Sequence, residues 1–188
     1  MRITGGTYRG RSIEAPPGRA TRPTGGKVRE AIFNMLAARN GLENAVAADL
    51  FCGSGALGLE ALSCGADYVT FVDNSRQALK CVSTNARALG IDDARYAIRH
   101  NTLPQLPAFA SALTHIFLDP PYNKDVIGST LEALIAQDCL RDDALIVCET
   151  GGTCEEIARW PDLLVKEREK HYGDTVVTLL AYHRYAGT

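Results

Sequence analysis

The sequence lacks the patterns that mark membrane, metal-binding and disulfide-rich proteins. No apolar stretch approaches the ~20 residues that a bilayer-spanning helix needs, and the first residues carry no hydrophobic signal core. The 6 cysteines include no C-x-x-C pair, and the 4 histidines show neither H-x-x-x-H nor H-E-x-x-H spacing. We therefore expect free buried thiols, no metal, no membrane attachment and a cytoplasmic location.

The chain as a whole also has no large excess of either charge, since it contains 20 Lys and Arg and 22 Asp and Glu. Residues 1–30 depart from this balance, because they hold many cations and only two acids, Glu14 and Glu30. Such a segment is typical of an arm that contacts a polyanion, and a merely solvated basic terminus is the alternative. The cations of this segment are Arg2, Arg9, Arg11, Arg19, Arg22, Lys27 and Arg29.

The chain has 188 residues, 46% of them apolar and 22% charged, which is ordinary for a globular protein with one core. Residues 1–24 contain short β-like pieces between glycines and prolines, which predicts a small basic hairpin and arm. We expect this arm to be an appendage on a single domain at 25–188. No repeat or low-complexity tract interrupts that domain.

Hydrophobic periodicity predicts an α/β fold. An i, i+3, i+4 pattern predicts an amphipathic helix over 25–39, after which strand-like and helical patterns alternate. Alternation of this kind predicts a Rossmann-like, mostly parallel sheet with helices on both faces. The last two strand-like runs have no helix between them and predict an antiparallel hairpin, an arrangement found in class I methyltransferases. The seven predicted strands are 46–51, 68–72, 96–99, 115–118, 144–149, 163–170 and 175–184, and the later helices are 56–64, 75–89 and 127–137.

A glycine-rich loop, G-x-G-x-x-G, begins at Gly53 and joins the first strand to the next helix. At that junction the pattern predicts a nucleoside-binding loop, and a plain tight turn is the alternative. Asp73, 20 residues after Gly53, can accept hydrogen bonds from ribose hydroxyls. Asp49 favours S-adenosylmethionine (SAM) over a dinucleotide, because its carboxylate would repel a pyrophosphate and attract an amino group. The predicted cofactor-binding residues are Asp49, Phe51, Gly53, Gly55, Asp73, Asn74 and Asn101.

The fourth strand runs directly into Asp119-Pro120-Pro121-Tyr122. An exocyclic amine on a nucleobase is a poor nucleophile, so it needs acceptors that aim its lone pair. The Asp119 carboxylate and a proline carbonyl held by fixed φ angles can accept its two protons, and Tyr122 can stack on an extruded base. These four residues are the predicted catalytic turn, which acts by positioning and electrostatics. A rigid Pro-Pro turn without catalytic function is the alternative.

Two further polar residues follow predicted strands. Asn101 can accept a hydrogen bond from an adenine amine, and a loop-capping role is equally open. Glu149 follows the fifth strand and is either a pocket wall or a solvated strand end, so we assign it no role.

Together these motifs resemble the bacterial 16S rRNA (guanine(966)-N2)-methyltransferase family over nearly the whole chain. The resemblance is carried by 3–6, 8–11, 22–24, 28–34, 49–61 and 119–122. It implies a SAM-dependent enzyme that methylates the exocyclic N2 of one guanine in 16S rRNA, in the assembled or partly assembled small ribosomal subunit. It also implies that Arg22, Pro23 and Thr24 lie near the active-site mouth, and we expect a monomer. The predicted RNA contacts are Arg9, Arg11, Arg22, Lys27 and Arg29.

Four other functions remain open from the sequence. The acceptor turn also suits a DNA adenine-N6 methyltransferase, although the chain shows no insertion large enough for a DNA-recognition domain. A glutamine-N5 protein methyltransferase uses a similar turn, usually with Asn in place of Asp119. A non-catalytic SAM-binding or RNA-binding assembly module would need no intact turn, and a nicotinamide oxidoreductase would leave the turn unexplained.

Overall fold

The computed structural model describes residues 1–16, 25–121, 125–151 and 160–185. Within those ranges, no helix combines the length and apolarity that crossing a bilayer requires. The elements, in chain order, are α1 (Gly26–Ala37), β1 (Val46–Leu50), α2 (Ala56–Ser63), β2 (Tyr68–Asp73), α3 (Arg76–Leu89), β3 (Tyr96–His100), β4 (Leu113–Leu118), α4 (Asp125–Ala136), β5 (Leu140–Gly151), β6 (Leu164–Tyr172) and β7 (Thr175–Tyr182).

The strands form one 7-stranded sheet in the order β3-β2-β1-β4-β5-β7-β6. The first five strands along the chain are parallel to one another, and β7 is antiparallel to both β5 and β6. The predicted fold class is confirmed, including the antiparallel C-terminal hairpin. Because β1 to β5 are parallel, their carboxyl ends meet along one edge of the sheet, which we call the carboxyl edge. The opposite edge is the amino edge.

A hydrophobic core lies on each face of the sheet. The first core contains apolar residues of α1, α2 and α3, and within it the rings of Phe33 and Phe117 stack with centroids 5.7 Å apart. The second core joins α4 to the other face through Ile127, Leu131 and Leu134. Strands that are buried on both faces have continuous apolar sequences instead of an alternating pattern. The central strands were therefore predictable from the sequence.

The structure extends β5 beyond its predicted bounds of 144–149. The strand begins at Leu140, which pairs with Leu113 of β4, and the register shifts between Leu113 and His115. Charged residues occupy 141–143 and Asp143 has a φ of 63°, so this stretch lacks the apolar pattern of a buried strand. Pairing with β4 flanks this stretch, at Leu140 on one side and from Leu145 on the other, so the charged residues form an irregularity within the strand.

The N-terminal hairpin is confirmed, but its description as an appendage is wrong for the residues that the structure describes. Arg2 and Ser12 pair in antiparallel fashion, and the side chains of Ile3 and Ile13 are buried in the first core. Gly6 approaches α2 so closely that a Cβ there would collide with the carbonyl of Ser63. The hairpin is therefore part of the domain, and the predicted boundary at residue 24 lies outside the described residues.

Candidate active site

Most of the predicted site residues meet at the carboxyl edge. Asp49 pairs with Phe71 of β2 and with Phe117 of β4, and Asp73 ends β2 one strand away. The edge also carries the predicted residues Phe51, Gly53, Gly55, Asn74, Asn101, Asp119, Pro120 and Pro121, each at or just after a strand. Tyr122 lies outside the described residues.

The glycine loop turns the chain sharply from β1 into α2. Phe51, Gly53 and Gly55 have φ values of 62°, 52° and 76°, in the left-handed region that favours glycine. Gly55 also packs against Val82 and Phe71, where a Cβ would come within 3.0 Å of Val82 Cγ2. At Gly58 a Cβ would collide with the Phe71 ring. The third glycine of the motif therefore lets α2 pack against β2.

Asp73 holds the glycine loop against the end of β2. One of its carboxylate oxygens accepts a hydrogen bond from the backbone N–H of Gly53 at 3.0 Å, and the other accepts from Ser75 N at 2.8 Å. The backbone N–H of Asn101 donates to the Asp73 carbonyl at 3.2 Å. The carboxylate therefore links the glycine loop to the start of α3, and the backbone carbonyl of the same residue holds the end of β3, at the position predicted for a ribose contact.

Asp49 is 2% exposed and lies beneath the glycine loop. It accepts a hydrogen bond from the backbone N–H of Gly58 at 2.8 Å, in the first turn of α2. The N-cap residue of that helix is Gly55, which has no side chain to cap it. Asp49 therefore supplies from β1 the acceptor that an N-cap side chain usually provides.

The environment of Asp49 is otherwise negative. Burial raises its pKa well above the ordinary range, the Gly58 hydrogen bond opposes that rise, and the negative charges of Asp119 and Asp73 raise it further. A dinucleotide pyrophosphate would add negative charge to this group of carboxylates. SAM carries a positive amino group and a positive sulfonium, so the chemistry of these residues fits SAM.

The acceptor turn lies beside Asp49 and the glycine loop. Asp119 follows the last residue of β4, which pairs with Leu50 of β1 and with Cys148 of β5. Asp119 and Pro120 are partly buried and Pro121 is exposed, so the turn forms part of the rim. Because Leu118 pairs with Leu50, Asp119 and Asp49 lie at adjacent strand ends, and the negative charge of Asp119 raises the pKa of Asp49.

Arg29 is not an RNA contact, and that prediction is wrong. Its side chain is 1% exposed and its Nε lies 2.9 Å from Oε2 of Glu60, which is itself fully buried. Glu60 also accepts hydrogen bonds from Thr4 N, Thr4 Oγ1 and Gly5 N. We call Thr4, Gly5, Arg29 and Glu60 the N-terminal anchor. A charge with these partners stabilises the docking of the hairpin and cannot reach a phosphate.

The other predicted RNA contacts do not form one group. The guanidinium of Arg11 donates to the carbonyls of Leu89, at 2.6 Å, and Ala88, so Arg11 binds the last carbonyls of α3. Arg9 is exposed on the hairpin turn that docks on the end of α2, at the amino edge. Lys27 is exposed in the first turn of α1, near the carboxyl edge. Arg22, Pro23 and Thr24 lie outside the described residues.

Sequence reasoning assigned no role to two acids that the structure makes prominent. Glu60 lies within the predicted helix of the glycine loop, and only its long-range partners distinguish it from a surface acid. Glu149 ends the buried part of β5 with 9% of its surface exposed. The available signal for Glu149 was its place at the end of an apolar strand, the same signal that identified Asp73.

Comparison with known proteins places the chain in a family. The family model described as "Conserved hypothetical protein 95" matches residues 1–181. The chain belongs to this family.

Named relatives and solved structures agree with that membership. The chain is 36% identical over 182 residues to "Putative rRNA methyltransferase YlbH" of Bacillus subtilis, covering 95% of this chain and 97% of the relative. It is 35% identical over 150 residues to "Ribosomal RNA small subunit methyltransferase D" of Escherichia coli, covering 80% and 74%. The structure of "Putative methyltransferase yhhF" from E. coli superimposes with a TM-score of 0.84 at 29% identity, covering 98% and 99%. The predicted family and the predicted methyltransferase fold are confirmed.

Proposed function

We propose that the protein transfers a methyl group from SAM to the exocyclic N2 amine of one guanine in the 16S rRNA of the small ribosomal subunit. The observation that carries this proposal is the joining of two motifs at one edge, since the acceptor turn directly follows Leu118, which pairs with Leu50 next to Asp49. The relatives named as rRNA methyltransferases support the substrate class. SAM-dependent methyl transfer to rRNA is thus the broad activity, and guanine N2 is its finer assignment.

The cofactor side of the site is built from β1 and β2. Asp49 would receive the amino group of SAM, directly or through water, and Asp73 would accept hydrogen bonds from the ribose hydroxyls. When bound, SAM supplies a methyl group made electrophilic by its positive sulfonium. The buried carboxylates would stabilise the charged cofactor, because opposite charges interact strongly in a poorly solvated pocket.

The acceptor side of the site is built from β4. The Asp119 carboxylate would accept a hydrogen bond from one proton of the guanine amine, and a carbonyl of the proline pair would accept the other. Both contacts direct the nitrogen lone pair towards the methyl group. Positive charge grows on the nitrogen as its bond to carbon forms, and the negative carboxylate stabilises that charge.

The first experiment is methyl transfer from radiolabelled SAM to small ribosomal subunits, to protein-free 16S rRNA and to duplex DNA. Nucleoside analysis of the labelled product identifies the methylated atom. We expect label in N2-methylguanosine from the subunits. N6-methyladenine in DNA would replace this proposal with the DNA methyltransferase alternative. Absence of label from every substrate, with SAM binding intact, would favour the non-catalytic module.

A second experiment tests the predicted RNA contacts. Replacing Arg9, Arg22 and Lys27 by Ala should weaken binding to the subunit and flatten its dependence on salt, because phosphate contacts release counterions. An unchanged salt slope would reject this role for the three cations. Such contacts position an enzyme without reading sequence, so the shape of the RNA and of the subunit must select the target guanine.

A further inference from the structure

Glu149 lies one strand away from the acceptor turn and on the face of the sheet that carries Asp49. Leu118 pairs with Cys148, and Phe117 pairs with Val147. One step towards the carboxyl edge, Asp119 therefore lies opposite Glu149, with neighbouring strands ~4.8 Å apart.

The alternation of side chains along β5 gives Glu149 its direction. Cys148 belongs to the second core, whereas Val147 and the Glu149 partner Val177 belong to the first. Glu149 therefore projects to the side of the first core, as Asp49 and Phe117 do. Asp49 is level with Phe117. Asp119 and Glu149 each lie two residues beyond the Phe117–Val147 pair, further towards the carboxyl edge.

We propose that Glu149 is the residue that selects guanine, a role that rests on the proposed function. Its carboxylate would accept a hydrogen bond from the ring N1–H while Asp119 accepts one from the N2 amine. Guanine is distinctive because one of the two ring nitrogens beside its exocyclic amine, N1, carries a proton. In adenine and cytosine the ring nitrogen beside the amine has no proton. Its lone pair would repel the lone pairs of a carboxylate placed opposite it. The acceptor turn recognises any exocyclic amine, and Glu149 supplies the discrimination that the turn lacks.

The strongest test exchanges donor and acceptor on both sides of the contact. 2-Aminopurine keeps the amine at C2 and presents an unprotonated N1. In Glu149→Gln the side-chain amide nitrogen can donate a hydrogen bond to that N1. The substrates are small subunits reconstituted with 16S rRNA that carries guanine or 2-aminopurine at the nucleotide mapped with the wild-type enzyme.

We expect the wild type to prefer guanine strongly and Glu149→Gln to shift the kcat/KM ratio towards 2-aminopurine by roughly 10- to 100-fold, the range of a well-formed base contact. SAM affinity should stay unchanged. Glu149→Asp keeps the carboxylate and should retain the guanine preference at a lower rate. Glu43→Gln makes the same chemical change at an exposed residue of the amino edge and should alter neither ratio nor rate.

Two results would overturn the role of Glu149. One is an unchanged substrate ratio in Glu149→Gln, which would leave Glu149 as a structural residue. The other needs no variant, since a wild-type enzyme that methylates 2-aminopurine as well as guanine makes no use of N1–H. A wild-type product other than N2-methylguanosine would instead reject the proposed function itself.

Discussion

Asp49 and Glu60 are buried carboxylates of the same βα unit, yet their surroundings are opposite. Glu60 is paired with Arg29 and accepts further hydrogen bonds from Thr4 and Gly5. Asp49 accepts one from the Gly58 backbone and is close to two other acids, Asp73 and Asp119. Both side chains are almost inaccessible to water, so their partners make the difference.

This contrast indicates which of the two charges the fold itself compensates. Burying a carboxylate is costly unless partners compensate its charge. The N-terminal anchor provides that compensation from within the fold, so Glu60 needs no ligand. At Asp49 the nearest charges are negative, and a positively charged ligand would supply the missing compensation. The carboxyl edge is therefore suited to binding, whereas the anchor is suited to holding the hairpin on α2.

The largest expected effect is in the anchor. Arg29→Ala should lower the free energy of unfolding by about 3–5 kcal/mol, because it leaves Glu60 buried without its cation. Urea unfolding measures this change. Arg39→Ala is the control, since Arg39 forms ion pairs with Asp143 and Glu167 at the surface, and its loss should cost much less because water screens exposed ion pairs. An equal loss of unfolding free energy in the two variants would show that the buried pair contributes no more to stability than the surface pairs.

At the carboxyl edge, Asp119→Ala should leave the fold intact and lower kcat by about 10²- to 10³-fold, as loss of one charge-stabilising group typically does. Single-turnover methyl transfer measures the chemistry, and calorimetric titration measures SAM affinity. Asp67→Ala, at an exposed residue of the amino edge, should change neither. A parallel loss of SAM affinity in Asp119→Ala would assign that residue to cofactor binding instead.

His115 shows what burial does to a titratable ring, because desolvation is the largest influence on its pKa. Burial lowers its pKa to about 4, against about 6.5 when unfolded. The folded ring stays neutral where the unfolded ring binds a proton, so its contribution to stability is full above pH 6.5 and is lost as the pH falls towards 4.

His115→Phe should remove that pH dependence. Between pH 7 and pH 5 the wild type should lose about 2 kcal/mol more unfolding free energy than the variant does. Urea titrations at the two pH values measure the difference, and His171→Phe, at an exposed histidine, is the control. The same pH response in wild type and His115→Phe would contradict a neutral buried ring.

The smallest effect separates two residues of the predicted basic arm. Arg11→Ala should cost about 0.5–1 kcal/mol of stability through the lost contacts with the end of α3, and it should leave the salt dependence of subunit binding unchanged. Lys27→Ala should leave the stability unchanged. It should reduce by about 1 the slope of the logarithm of the binding constant against the logarithm of the salt concentration. If Arg11→Ala reduces the slope as well, Arg11 also contacts RNA, despite its hydrogen bonds to α3.

Local signals made the binding edge predictable from the sequence. The glycine loop, Asp73 and the acceptor turn each follow a buried strand, and parallel strands bring their carboxyl ends together. The anchor could not be predicted in this way. Arg29 looks like a surface cation, and its burial depends on Glu60, 31 residues along the chain. A basic residue in a basic segment reveals its role only when its long-range partner is known.

The most direct test of the contrast is calorimetric titration of SAM into Asp49→Asn and Glu60→Gln. Folding raises the pKa of Asp49, so its ionisation destabilises the cofactor-free protein increasingly as the pH rises from the ordinary aspartate pKa towards the raised one, and the effect is full above it. Asp49→Asn removes the charge and keeps an acceptor for Gly58.

We predict that Asp49→Asn binds SAM at least about tenfold more weakly, a change of ~1.4 kcal/mol, while the free protein is as stable as the wild type or more so. Glu60→Gln should lose stability and keep SAM affinity in the molecules that remain folded. Wild-type SAM affinity in Asp49→Asn would contradict the account, because the uncompensated charge would then have no ligand to explain it.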